Sequence, residues 1–209
     1  LVPIGRIATY EVCLAVNAAV PVRNPAEYAA AVRADPSVGN VAVPAPGSNA
    51  QFVAHAIGQH YGLKLVPVPY RGAAPALPEL AGGQIKAAVM PCDAFRAFVQ
   101  QGRVRVIGIA GDKRSARLPD VPAMQEFGIT IPGTNNFIAA YAPKSMDARA
   151  VAALADATRE MFKSAAWVER INGTGQFAAY ASPEEVVQHT RRASAFWAEQ
   201  VKSSGYVAE

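Results

Sequence analysis

At 209 residues the chain has room for one large domain or two small ones. Apolar residues make up 51% and charged residues only 17%, against roughly 25% charged in a typical domain, which excludes intrinsic disorder. No apolar run approaches the ~18–20 residues that span a bilayer. The net charge of +4 comes from scattered Lys and Arg, densest at Lys113-Arg114 with Arg117, Arg103 with Arg105, and Arg191-Arg192. A nucleic-acid reader carries a basic stripe with aromatic or motif support, and this chain has none. Its excess charge reads as solvated, with a mild attraction for anionic ligands.

The chain begins in mid-pattern, without an initiating Met and already strand-like at Leu1-Val2-Pro3-Ile4. That is the expectation for a processed or truncated chain. Leu14-Ala15-Val16 closes an apolar strand. Asn24-Pro25-Ala26-Glu27 then opens a helix, with Asn as N-cap, Pro at the first helical position and Glu at the third. It should end near Ala34, before Pro36. Strands follow at 38–43, 65–68, 85–90 and 104–110. Helices alternate with them at 49–61, closed by Gly62, at 72–81, ended by Gly82-Gly83, and at 94–101, closed by Gly102. Strands joined by helices imply right-handed crossovers and a mainly parallel sheet, and their continuous apolar runs suit a sheet covered on both faces.

Residues 111–134 form a Pro- and Gly-rich excursion with one short helix near Ala123–Phe127, and 137–142 return to strand. A long helix is expected from Asp147 to Lys163, with Val151, Leu154, Ala155 and Thr158 on one face, continuing through Trp167–Ile171. A strand at 176–180 precedes the capping box Ser182-Pro183-Glu184-Glu185 and a final helix to about Ser203. The expected organisation is an α/β lobe at 17–136, inserted into a discontinuous remainder made of 1–16 and 137–209.

Catalytic and metal signatures are missing from the sequence. His55 and His60 lie five apart, about 140° around a helix, a poor spacing for shared ligation, and His189 stands alone. These residues read as surface or packing histidines. There is no nucleophile elbow, no phosphate loop and no dinucleotide fingerprint, and no paired carboxylates, so no cofactor is expected. Cys13 and Cys92, 79 positions apart, form no metal or redox motif. They read as two buried small hydrophobes, with a disulfide in an oxidising compartment left open.

What remains is the strand-to-helix turn Val43-Pro44-Ala45-Pro46-Gly47-Ser48-Asn49-Ala50. Glycine lets the backbone approach a ligand, Ser and Asn supply short hydrogen-bonding groups, and the first-turn N–H groups of the helix lack helical partners. With the helix dipole these features suit a carboxylate or phosphate. The plain alternative is an ordinary N-cap made by Ser48 or Asn49. Tyr70-Arg71-Gly72-Ala73-Ala74 repeats the arrangement after the next strand, with a cation added, and in a parallel sheet both turns open at the carboxyl edge, where α/β ligand sites lie.

Val68-Pro69-Tyr70-Arg71-Gly72, then Ala74-Pro75-Ala76-Leu77 and Leu80-Ala81-Gly82-Gly83-Gln84, resembles a signature of Bug-type receptors of tripartite tricarboxylate transporters. Gly102-Arg103-Val104-Arg105, Leu118-Pro119-Asp120-Val121-Pro122, Tyr141-Ala142-Pro143 and the Ser182 capping box extend that resemblance from Leu1 to Gly205. It implies a periplasmic-binding-protein-like α/β fold (a Venus flytrap) of two lobes with mainly parallel sheets, the N-terminal part of lobe 1 missing from this sequence. It further implies a monomeric, non-catalytic periplasmic receptor that delivers a small carboxylate, such as a di- or tricarboxylate or an acidic amino acid, to membrane permease subunits. A ligand sensor on the same fold, or less readily an α/β enzyme, are the alternatives. The ligand residues it implies are Gly47, Ser48, Asn49 and Ala50, with Tyr70, Arg71 and Gly72, and with Tyr10 beside Glu11 near the hinge. Ala50, Gln51, Met90 and Pro91 depart from the family's usual Ser, His, Asp and Asn, which leaves fewer polar groups for a ligand.

Overall fold

The Asn24 side chain accepts a hydrogen bond from Glu27 N at 2.9 Å, and the Glu27 carboxylate accepts in return from Arg23 N and Asn24 Nδ2. This reciprocal cap starts α1 (Pro25–Ala34) where the sequence places it. The computed structural model describes residues 1–131, 136–204 and 206. The chain divides into two compact units, Leu1–Tyr10 with Asn135–Glu199 and Glu11–Thr134 with Gln200–Glu209.

In the larger unit, β2 (Val12–Asn17), β3 (Asn40–Val43), β4 (Val66–Pro69), β5 (Ala87–Pro91) and β6 (Val104–Ile109) form one sheet in the order β4-β3-β5-β2-β6. β3 runs parallel to β4 and β5, whereas β2 is antiparallel to both β5 and β6. Four strands therefore share one direction and β2 alone is reversed between two of them, so the sheet is mixed rather than simply parallel. The crossovers α2 (Asn49–Tyr61), α3 (Ala73–Gly82) and α4 (Arg96–Gln100) keep the expected alternation. All six residues of β2 are buried, as a strand covered on both faces requires. The boundary expected at Val16 thus falls inside this sheet, since β2 pairs with β5 and β6.

That placement also corrects the reading of the cysteines. Cys13 stands opposite Met90 in the β2–β5 ladder, which brings it beside Cys92 two residues further on. The two form a disulfide with Cα atoms 5.0 Å apart. Seventy-nine positions of separation concealed a contact between adjacent strands.

In the smaller unit, β1 (Val2–Tyr10) lies between β7 (Asn136–Ala142) and β8 (Phe177–Ala181), antiparallel to both. The register slips between Arg6 and Ala8. There the Arg6 guanidinium donates to the carbonyls of Ala179 at 2.9 Å and Tyr180 at 3.2 Å. The long helix expected to continue past Lys163 is two helices, α5 (Ala148–Met161) and α6 (Ala165–Gly173). Ser164 separates them by capping α6, its hydroxyl accepting from Trp167 N at 3.4 Å. The capping box opening α7 (Pro183–Ser204) is formed, with Ser182 N donating to Glu185 at 2.7 Å and Glu185 N to Ser182 Oγ at 3.3 Å.

Candidate functional site

Because β3, β4, β5 and β6 point the same way, their carboxyl ends meet at one edge of the larger unit's sheet, together with the start of β2. The registers agree: Val43 lies opposite Pro69, Val12 opposite Pro91, and Cys13 opposite Ile109. Among the segments that leave this edge are the turn after β3, the turn after β4, and the short 3-10 helix at Cys92–Phe95 after β5. Edges of this kind hold the ligands of open α/β sheets.

The turn after β3 is built around Gly47, at φ +65°, a left-handed conformation that disfavours any side chain. Its N–H donates to Gln51 Oε1 at 2.9 Å. Ser48 occupies the N-cap position of α2, yet it makes no cap bond, because its hydroxyl donates back to Ala45 O at 2.8 Å. Of the plain reading, in which Ser48 or Asn49 caps the helix, the Ser48 half therefore fails. The N-cap side chain makes no cap bond to α2, and the first turn, with Asn49 half-buried and Ala50 buried, presents the positive end of the dipole at the sheet edge.

The turn after β4 is locked to the first. Tyr70 N donates to Val43 O at 2.9 Å and Gly72 N to Pro44 O at 2.8 Å. Gly72, at φ +90°, is the N-cap of α3, which likewise has no side-chain cap. Two helix N-termini are thus held in neighbouring turns by two backbone hydrogen bonds. Tyr70 packs against the apolar core and its hydroxyl donates to Glu79 at 2.5 Å. Burial, and then that carboxylate, push the phenol up to about 12. The Arg71 side chain is exposed.

Seven of the eight sequence-predicted residues, Gly47, Ser48, Asn49, Ala50, Tyr70, Arg71 and Gly72, therefore lie on two hydrogen-bonded turns of one unit. Tyr10 belongs to the other unit, where it ends β1 opposite Asn136, whose Nδ2 donates to Tyr10 O at 3.5 Å. Sequence reasoning passed over Tyr206 and Asp93, and it took Gln51 only as a departure from the family's pattern. The spacing Ser48-x-x-Gln51 is a capping-box pattern and could have announced Gln51. Asp93 has its carboxyl raised by burial, against the opposing pull of Arg117. His60 stands edge-on to Tyr61 and His189 edge-on to Phe137, as packing histidines do. Among the described residues there is no cluster of His, Cys, Asp and Glu able to hold a metal.

The family described as the tripartite tricarboxylate transporter family receptor matches residues 1–207. BugT of Bordetella pertussis is 26% identical over 205 residues, covering 98% of this chain and 63% of BugT. The chain spans about three fifths of the length of the curated relatives it matches, 59% and 63% for two of them. The structure of Rpa4515 from R. palustris with adipate superposes with a TM-score of 0.87 at 24% identity, covering 98% of this chain and 68% of that one. MatC from Rhodopseudomonas palustris with bound malate gives 0.80 at 22% identity, covering 95% and 69%. These likenesses establish a periplasmic-binding-protein-like α/β fold.

Proposed function

This chain belongs to the tripartite tricarboxylate transporter receptor family, as a Bug-type receptor, and we propose that it is part of a periplasmic receptor that captures a small carboxylate for a membrane permease. The observation that carries this reading is the pair of neighbouring helix N-termini, at Ser48 and Gly72, where the N-cap residue makes no side-chain cap bond. One carboxylate is received at the turn Ser48-Asn49-Ala50 by the first-turn N–H groups of Asn49 and Ala50, while the Ser48 N–H donates to Ala45 O at 3.4 Å. Hydrogen bonds to a charged acceptor contribute about 1.5–3 kcal/mol each. Because Tyr70 N–Val43 O and Gly72 N–Pro44 O hold the two turns together, these donors are arranged before a ligand arrives, which lowers the ordering cost of binding. The Gly72 turn, with Arg71 beside it, receives a second anionic group.

Adipate and malate, named with two structural neighbours, support a dicarboxylate as the ligand class. The disulfide supports an oxidising compartment such as the periplasm. The receptor acts as a monomer and catalyses nothing, in keeping with a family of receptors. The test is a thermal-shift screen of the chain against mono-, di- and tricarboxylates, amino acids and phosphate. A ligand at ~100 times its dissociation constant stabilises by about 2.7 kcal/mol. A midpoint raised by dicarboxylates is the expected result. No shift with any carboxylate, alongside a shift with another class, would overturn the assignment.

A further inference from the structure

One aromatic side chain reaches the α2 turn from far along the chain. A Cβ placed on Gly47 would meet Tyr206 Oη at 2.9 Å and its Cε1 and Cζ at 3.2 Å. The hydroxyl end of the phenol therefore lies over the Cα of the turn's central glycine. The ring is held on its other side by Phe52, edge-on with centroids 5.9 Å apart and planes at 84°. Phe52 sits near the start of α2 and is only 8% exposed, so Tyr206 is anchored to that helix.

Of the Tyr206 atoms at that position the hydroxyl oxygen is the nearest, with the two ring carbons close behind it. Two of the turn's own side chains bond back to it: Ser48 Oγ donates to Ala45 O and Gln51 Oε1 accepts from Gly47 N. Tyr206 brings a hydroxyl from outside the turn to the turn's central glycine. A hydroxyl both donates and accepts, and it adds a donor there without adding charge.

We propose that Tyr206 is a specificity-determining residue of this site, whose hydroxyl donates to the carboxylate held at the α2 turn and whose ring forms the wall that limits ligand length on that side. The proposal rests on the reading of the α2 turn as the ligand turn. Gly47 is then glycine for two reasons, its left-handed backbone and the approach of this ring.

The test titrates adipate and malate calorimetrically into the whole chain carrying Tyr206→Phe, Tyr206→Ala or Asn49→Pro. Asn49→Pro removes one first-turn N–H at the helical position where proline is tolerated. Ser48, at φ −71° and ψ 155°, already has the extended backbone that a following proline requires. Tyr206→Phe should weaken both acids about tenfold, the size of one hydrogen bond to a charged group, with an unchanged melting temperature. Tyr206→Ala should weaken them at least as much and shift relative affinity toward the longer adipate. If Tyr206→Phe binds both acids within twofold of wild type while Asn49→Pro weakens them, Tyr206 only packs, and the ligand turn stands without it. If Asn49→Pro is also silent, or neither acid binds the wild type, the turn is not the site and the proposal falls with it.

Discussion

Replacing both Cys13 and Cys92 by alanine should cost the larger unit most of the stabilisation a long-range cross-link supplies. The bond joins positions 79 apart, and the chain-entropy relation for a loop of that size gives about 4.5 kcal/mol at 25 °C. Alanine is the suitable substitution because Cys13 is fully buried, and a serine there would add the cost of an unpaired hydroxyl. For a unit of this size the loss corresponds to a fall on the order of 15 °C in melting temperature. The assay is urea unfolding followed by far-ultraviolet circular dichroism, with hydrogen exchange of the β2 and β5 amides as the local readout. Wild-type protein treated with a dithiol reductant should behave like the double variant. A difference below about 1 kcal/mol would refute the reasoning, because the unfolded chain would then gain little freedom when the loop is opened.

Arg6→Leu should cost about 1–3 kcal/mol, since it strips the donors from the Ala179 and Tyr180 carbonyls where the β1 register slips. Trp167 and Trp197 both lie in that unit, so tryptophan fluorescence in urea reports it, and an unchanged midpoint would contradict the role. Acid should destabilise the chain through Glu126, whose carboxyl is held at about 2 by its hydrogen bonds from Arg114 and then from Ala123 N. A carboxylate with a depressed pKa contributes its full stabilisation above its ordinary value of 4.5 and loses it as the pH falls toward 2. Glu126→Gln should therefore flatten the decline of the urea midpoint between pH 4.5 and pH 2, and an identical slope would count against the pair.

Elements whose ends are set by neighbouring residues were legible in the sequence. Asn24, Pro25 and Glu27 start α1, and Gly62 ends α2 at Tyr61, because caps act within one turn of chain. The strand at 12–17 was visible as an apolar run, but nothing local says which strands it joins. Its reversed insertion between β5 and β6, and hence the disulfide, is decided by partners some 70–90 positions away. The two candidate turns were located because Gly47 and Gly72 mark backbone that other residues resist. What the turns present was hidden, since Ser48 has two carbonyl or amide choices within reach and takes Ala45 O. Tyr206 leaves no trace near Gly47 in the sequence, and only the fold brings them together.

A site made of backbone N–H groups has a consequence for its pH response. Amide donors do not titrate in the physiological range, so affinity there follows the ligand's own ionisation and that of nearby side chains. At this edge the Tyr70 phenol is pushed up to about 12, far above neutrality. The histidines, which alone among side chains ordinarily titrate near pH 6–7, lie off the turns: His60 stands against Tyr61, His189 against Phe137, and His55 has its Nε2 buried. Adipate affinity should therefore vary less than about threefold between roughly pH 6 and 8, since a titrating group within reach of the carboxylate would couple by more than that. Calorimetric titrations across that range decide the matter. A tenfold change centred near pH 6.5 would place an imidazole at the ligand and show that the backbone turns do not hold the carboxylate alone.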